Sequence, residues 1–250
     1  MEIQIQQVIL IFMRITAFIV LCPGISFKGI PNIFKIGIAL SLTILVYSTV
    51  PEIVVVDNLL LFAILVIKEA LFGLSIGFVT KLVFSTMEMA GQFIDFQVGF
   101  SMASVFDPSI GINASNYGRV YYWMSLCAFF LLDMHHRLIA TLIQSFEYVP
   151  LTSVNIDGLT VGAVLNIFSR VFELAFNLAA PMIIVLLLTD VVLGVISRAV
   201  PQINVLMLGM PLKAMVSFLV SMVGLSWLLN SIGNIIQLMP DYIEGFINLM

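Results

Sequence analysis

The sequence predicts an all-α protein embedded in a membrane. Three observations carry that prediction. Of its 250 residues, 61% are hydrophobic and only 10% are charged, whereas a soluble domain carries about 25% charged residues. Mean hydropathy is +1.16, so the solvent for most of the chain is lipid or other protein. The apolar residues also gather into six blocks, divided by breakers such as Pro, Gly and Asn.

In chain order the blocks lie at about 3–22, 36–50, 59–80, 119–132, 172–194 and 214–236. A crossing helix needs roughly 20 apolar residues at 1.5 Å rise each, so several blocks are short and 119–132 is the weakest. The first has no basic leader, its first charge being Glu2, and no clear small-residue cleavage site before Pro23. It reads as a retained membrane segment rather than a signal peptide. Pro23-Gly24 and Gly29-Ile30-Pro31 bound the first loop, and Pro51 ends the second block. Pro108 and the Ser/Gly/Asn-rich run Ser109 to Gly118 form a central loop, Pro150 and Asp157-Gly158 mark another, and Pro201 and Pro211 bound the last connection. Basic residues place the loops with Lys28 and Lys35, with Lys81, and with Arg198 and Lys213 on the cytoplasmic side, while Glu52 and Asp57 suit the outside. The stretch Asp133 to Arg137, read as a fourth loop, fits outside poorly. The chain is expected to be a single domain over 1–250.

Charges inside these blocks say more than their number. Only Ala214 to Pro240 runs beyond 18 residues without a charge. Arg14 interrupts the first block, Lys68-Glu69 the third and Asp190 the fifth. A charge near the bilayer centre costs about 2.5–3.5 kcal/mol on insertion scales. Lys81, Arg119 and Lys213, near block ends, can snorkel to the interface. Arg14 and Lys68-Glu69 fit that account less well and favour faces buried against protein in a multi-subunit assembly.

Two polar stripes follow helical spacing. Asn166, Arg170, Glu173 and Asn177 share one helix face, on which Arg170 and Glu173 can pair; the stripe either fixes packing or lines an aqueous path or partner groove. Glu88, Gln92, Asp95 and Gly99 form the second, on a helix that carries Phe93, Phe96, Phe100 and Phe106 and ends at Asp107-Pro108. That helix either lies on the bilayer surface or faces a conduit. Gly73 and Gly77 make a small-xxx-small pair suited to close helix approach.

Chemistry finds no foothold. A net charge of -4 without a basic run gives no expectation of nucleic acid. No phosphate loop, dinucleotide fingerprint or HExxH motif is present. His135 and His136 are adjacent, so on a helix they are expected to point apart and not to form a ligand pair. Cys22 and Cys127 read as small buried hydrophobes. No catalytic, cofactor or metal residue is therefore expected.

The segment Gly194–Lys213, GVISRAVPQINVLMLGMPLK, with its Arg198, Pro201, Gln202 and Asn204 core, resembles a signature of the FliR/SctT/SpaR family of type III secretion export-gate proteins. Pro23–Leu40, Lys68–Val79, Ala90–Pro108 and Met134–Pro150 resemble family segments too, in family order and over nearly the full length. Length and the lack of extra domains look like the flagellar branch rather than the virulence injectisome branch. The resemblance implies an all-α membrane protein of bent helical hairpins, packed in a hetero-oligomeric export-gate assembly with FliP-type and FliQ-type proteins and an FlhB-type protein. It would sit in the inner membrane within the flagellar basal body, where unfolded flagellar subunits pass through the assembly. The resemblance also implies that the helices bend and that much of the assembly is lifted out of the bilayer plane, which argues against a simple six-span topology.

By the same resemblance the mid-chain segment, about Phe106 to Tyr117, acts as a pore plug, drawing on Phe106, Asp107, Pro108, Ile110, Gly111, Asn113 and Tyr117. Contacts with the assembly are expected at Lys68, Glu69, Glu88, Asp95, Arg170, Glu173, Arg198, Pro201, Gln202, Asn204 and Lys213. Gating would be passive, driven by partners or the proton gradient. Two other classes remain. A small secondary transporter would use Lys68, Glu69, Arg170, Glu173 or Asp190 at a midplane site. An intramembrane enzyme would need one essential nucleophile.

Overall fold

The computed structural model describes residues 2–27, 29–51, 58–100, 115–152, 161–200 and 205–247. Among these residues the chain is helical and without strands: α1 (Glu2–Leu21), α2 (Asn32–Tyr47), α3 (Leu59–Val98), α4 (Asn116–Leu131), α5 (Met134–Tyr148), α6 (Val161–Ala199), α7 (Val205–Val223), α8 (Leu225–Gln237) and α9 (Met239–Ile247). Of these, α1, α3 and α6 are long and apolar enough to cross a membrane singly. The runs Asn116–Leu131 with Met134–Tyr148, and Met207–Val223 with Leu225–Ile247, qualify only as bent pairs. The fold is an all-α membrane protein, as expected.

Several boundaries differ from the sequence reading, each for a local reason. The third block and the polar stretch after it form one helix, α3, of 40 residues, so the Glu88–Asp95 stripe continues a long helix and is not a separate lateral one. That helix stops at Val98 rather than Asp107-Pro108. Gly99 takes φ +100°, and the amides of Gly99 and Phe100 both donate to the Asp95 carbonyl at 3.1 and 3.0 Å. This is the left-handed helix stop that glycine permits, and it leaves Phe100 beyond the helix.

Apolar length alone misjudged the last block. The uncharged run from Ala214 is interrupted at Gly224, where the chain bends by 72°. Pro211 does not bound a connection but lies inside α7, as Pro181 lies inside α6. Proline removes one amide donor, so at Pro181 the carbonyl left without its intrahelical donor is that of Asn177. Helices in membranes tolerate this where neighbours or polar groups re-satisfy the carbonyl. Asp133 to Arg137, read as a loop, instead opens α5, with Asp133 in the left-handed region at φ 54°.

The chain divides into two compact units. Unit 1 is Met1–Val83, Asp133–Phe168 and Gln237–Met250; unit 2 is Phe84–Leu132 and Ser169–Ile236. In unit 1, α1 buries Leu10, Ile11, Arg14, Ile15, Phe18 and Ile19, a stripe at three- and four-residue spacing. The first half of α3 meets it. A Cβ on Gly73 would lie 2.1 Å from the Arg14 carbonyl oxygen, and one on Gly77 would lie 2.9 Å from that of Phe18. The small-xxx-small pair thus marks backbone contact on two successive turns. In unit 2, Gly91 of α3 meets Gly118 of α4 in the same way, a Gly91 Cβ falling 2.3 Å from the Gly118 nitrogen. Phe84 packs against Phe129 edge-on at 5.6 Å, and Phe93 against Phe172 at 5.5 Å.

Candidate functional site

Each unit carries a buried polar centre on helices of membrane-spanning character. In unit 1 the centre is Arg14, fully buried halfway along α1. Its Nε donates to Glu69 Oε2 at 2.6 Å. Nη1 donates to the carbonyls of Ser145 and Val149, and Nη2 to Val149, each at 3.1 Å. The guanidinium also lies over the rings of Phe72 and Phe146, at 4.6 and 4.2 Å from their centroids. Glu69 Oε1 accepts from the Thr152 amide at 3.3 Å. An unpaired charge here would be prohibitive. Arg14 instead joins three segments at once: α1, α3 and the C-terminal end of α5, whose last carbonyls it caps. The planar fork of donors makes this possible and a lysine could not reproduce it.

In unit 2 the centre is Asp95, 3% exposed near the end of α3. Its carboxylate accepts from the Ser115 hydroxyl and from the Tyr117 amide, the latter at 3.1 and 3.2 Å to its two oxygens. Ser115 caps α4 by accepting from the Gly118 amide at 2.9 Å. One carboxylate therefore anchors the start of α4 to the end of α3. The Tyr117 hydroxyl donates to Ser217 Oγ at 2.8 Å, and Ser217 passes the bond on to the Ala214 carbonyl. Nearby, Asp190 of α6 pairs with Lys213 of α7 and accepts from Gln97 Nε2 at 2.9 Å, while Lys213 Nζ also donates to the Gln97 carbonyl at 3.3 Å. This second group ties α3, α6 and α7.

These placements revise several expectations. Glu69 is fully buried against Arg14 of its own chain and Asp95 against Ser115 and Tyr117, so neither has surface with which to meet a partner. Lys213 does not snorkel; it is paired with Asp190. Tyr117 belongs to the first turn of α4 and is 5% exposed, which removes it from any movable loop. Arg198, expected as an assembly contact, is exposed in the last turn of α6. Cys127 is exposed on α4 and not buried. Cys22 is buried, as a small hydrophobe is expected to be. His135 and His136 do not point apart: their ring centroids are 4.0 Å from each other.

Other expected residues stay at the surface. Glu88 is exposed and Lys68 half-buried on α3. The Asn166–Asn177 stripe is exposed along α6, with Arg170 Nη1 donating to Glu173 at 3.0 Å across side chains 65% and 54% exposed. Phe106, Asp107, Pro108, Ile110, Gly111, Asn113, Pro201, Gln202 and Asn204 lie outside the described residues.

A chain of long apolar helices with a buried ion pair and an exposed polar stripe is a helical membrane protein. The profile of the family described as Bacterial export proteins, family 1, matches residues 5–239. The flagellar biosynthetic protein FliR of Bacillus subtilis is 33% identical over 97% of this chain and 95% of its own length. FliR of Aquifex aeolicus is 28% identical over 96% and 93%. Yop proteins translocation protein T of Yersinia pestis is 29% identical over 96% and 94%. This chain belongs to the bacterial export protein family 1.

Proposed function

We propose that this chain is a core component of the flagellar type III protein export gate in the inner membrane, forming part of the channel through which unfolded flagellar subunits cross. The observation that carries this reading is the exposed Asn166, Arg170, Glu173 and Asn177 face on α6. It begins the run Leu165–Ala199, which is apolar enough to span a membrane. Lipid solvates an Arg-Glu pair poorly, so a protein or aqueous neighbour suits it better. The partners are FliP-type and FliQ-type proteins and an FlhB-type protein. Arg198, Pro201, Gln202 and Asn204 contribute to assembly with them, and the two units act as one export-gate domain. The role is a conduit, not catalysis. The FliR relatives favour the flagellar branch; the Yersinia relative supports an injectisome counterpart as the second reading.

The test is co-expression. The chain alone in detergent is expected to be polydisperse, and a discrete complex is expected when a tagged FliP-type protein is co-expressed. A stable, monodisperse single chain that ignores that partner overturns the assembly. Gene deletion should abolish flagella without impairing general uptake; a flagellated cell with an uptake defect favours the transporter class.

Within this reading the segment from Phe106 to Asn113 serves as the plug, Phe106 and Ile110 excluding hydrated ions and Gly111 allowing displacement. Removing Ser109 to Ala114 leaves the Ser115 cap in place. In an assembled complex it is expected to raise ion leak across the inner membrane and slow growth, with export partly retained. An unchanged leak ends the plug assignment.

A further inference from the structure

We propose that Asp133, His135 and His136 form a binding site for a divalent transition metal of the zinc class. All three belong to unit 1, at the start of α5. Their donor atoms lie within 4.8 Å of one another. The Asp133 Oδ1 to His136 Nδ1 separation is 3.6 Å. A tetrahedral ion with bonds of about 2.0–2.1 Å sets its donors roughly 3.4 Å apart, so this edge already has chelating spacing. His135 offers the third donor atom, within 4.8 Å of the other two.

Adjacent residues on a regular helix diverge by about 100°, and the local backbone explains why these rings converge. Asp133 adopts φ 54° outside the helix, which turns its carboxylate back over the first turn. The His136 amide donates to the Asp133 carbonyl at 3.0 Å, a tight i,i+3 bond that winds this turn more closely. Helical side chains lean toward the N-terminus, and the two imidazoles lie side by side, tilted by 39° with centroids 4.0 Å apart.

The donor set selects the metal. Two imidazoles and one carboxylate suit Zn²⁺, Ni²⁺, Co²⁺ or Cu²⁺, whereas Ca²⁺ and Mg²⁺ require oxygen-rich shells. The Asp133 and His136 side chains are 77% and 72% exposed, so an ion can reach them and would complete its shell with water. The α5 amides disfavour a cation at this end, and the Asp133 carboxylate offsets them.

The competing account is a plain i,i+3 Asp–His surface pair. Metal titration separates the two. The full chain, in complex with its co-expressed partner and stripped with a chelator, is titrated with Co²⁺ while visible absorption is followed. Expected are one saturable equivalent, nitrogen-ligand d–d bands and displacement by Zn²⁺. His136→Ala and His135→Ala should each weaken binding at least tenfold and Asp133→Asn several-fold, with the complex still eluting as the parent does. Absence of saturable Co²⁺ binding, or binding undiminished in the His135→Ala/His136→Ala double variant, overturns the site.

Discussion

Arg14→Leu is expected to cut the yield of folded chain in its complex by more than tenfold. The substitution removes four hydrogen bonds at once and strands Glu69, which is fully buried. Removing one partner of a buried pair costs roughly 3–5 kcal/mol, and each 1.4 kcal/mol is about tenfold in an equilibrium. Arg14→Lys is expected to fail nearly as badly, because one ammonium cannot reach Glu69 and both α5 carbonyls in the planar geometry a guanidinium offers. The informative variant is Arg14→Leu with Glu69→Leu. Charge is then lost from both sides and part of the stability should return, since the cost of a broken buried pair lies mainly in the partner left behind. Size-exclusion yield of the tagged complex reads all of these. Arg14→Leu assembling at parental yield would show that the centre is dispensable.

How much of this was legible beforehand depends on whether a feature is local. Helical character follows from composition and block structure, and the Gly73/Gly77 contact was visible as spacing. The sequence also marked Arg14, Glu69 and Asp190 as charges out of place in apolar blocks. It could not show which charge answers which. Arg14 and Glu69 are 55 residues apart, and Gln97 and Asp190 are 93 apart. Nothing in periodicity encodes such pairings, which come from tertiary packing. Lys213 looked like a snorkelling residue because hydropathy treats each block alone, without the Asp190 beside it in space.

Helix ends failed for a different reason. Apolar length reports where a helix is tolerated in lipid, while single residues decide where it stops or bends. Gly99 and Gly224 supply those stops at positions hydropathy does not register. Helical spacing puts Asp95 in one polar stripe with Glu88 and Gln92. Those two are exposed, but Asp95 has the start of α4 folded onto it. A stripe therefore identifies a face and leaves open what covers each of its residues.

Gly91→Ala tests that covering directly. A methyl group there would sit 2.3 Å from the Gly118 nitrogen and 2.4 Å from its Cα. Both are backbone atoms and cannot rotate aside, so α3 and α4 must separate. Asp95, one turn on, then loses its grip on the Tyr117 amide and Ser115. Overpacking costs about 1–3 kcal/mol, and a lost hydrogen bond to a charged group adds roughly 1.5–3 kcal/mol. Gly37→Ala is the control, because a Cβ there meets nothing within 4 Å, and alanine in an open helical site is neutral or stabilising by up to about 1 kcal/mol. In thermal unfolding of the detergent-solubilised complex, Gly91→Ala should lower the midpoint clearly and Gly91→Val should lower it further or prevent assembly, while Gly37→Ala leaves it unchanged or raises it. Asp95→Asn should fall between them, since the amide keeps an acceptor for Tyr117 but loses the charge. If Gly91→Ala and Gly37→Ala unfold alike, the α3–α4 backbone contact does not hold unit 2 together, and the anchoring role given to Asp95 falls with it.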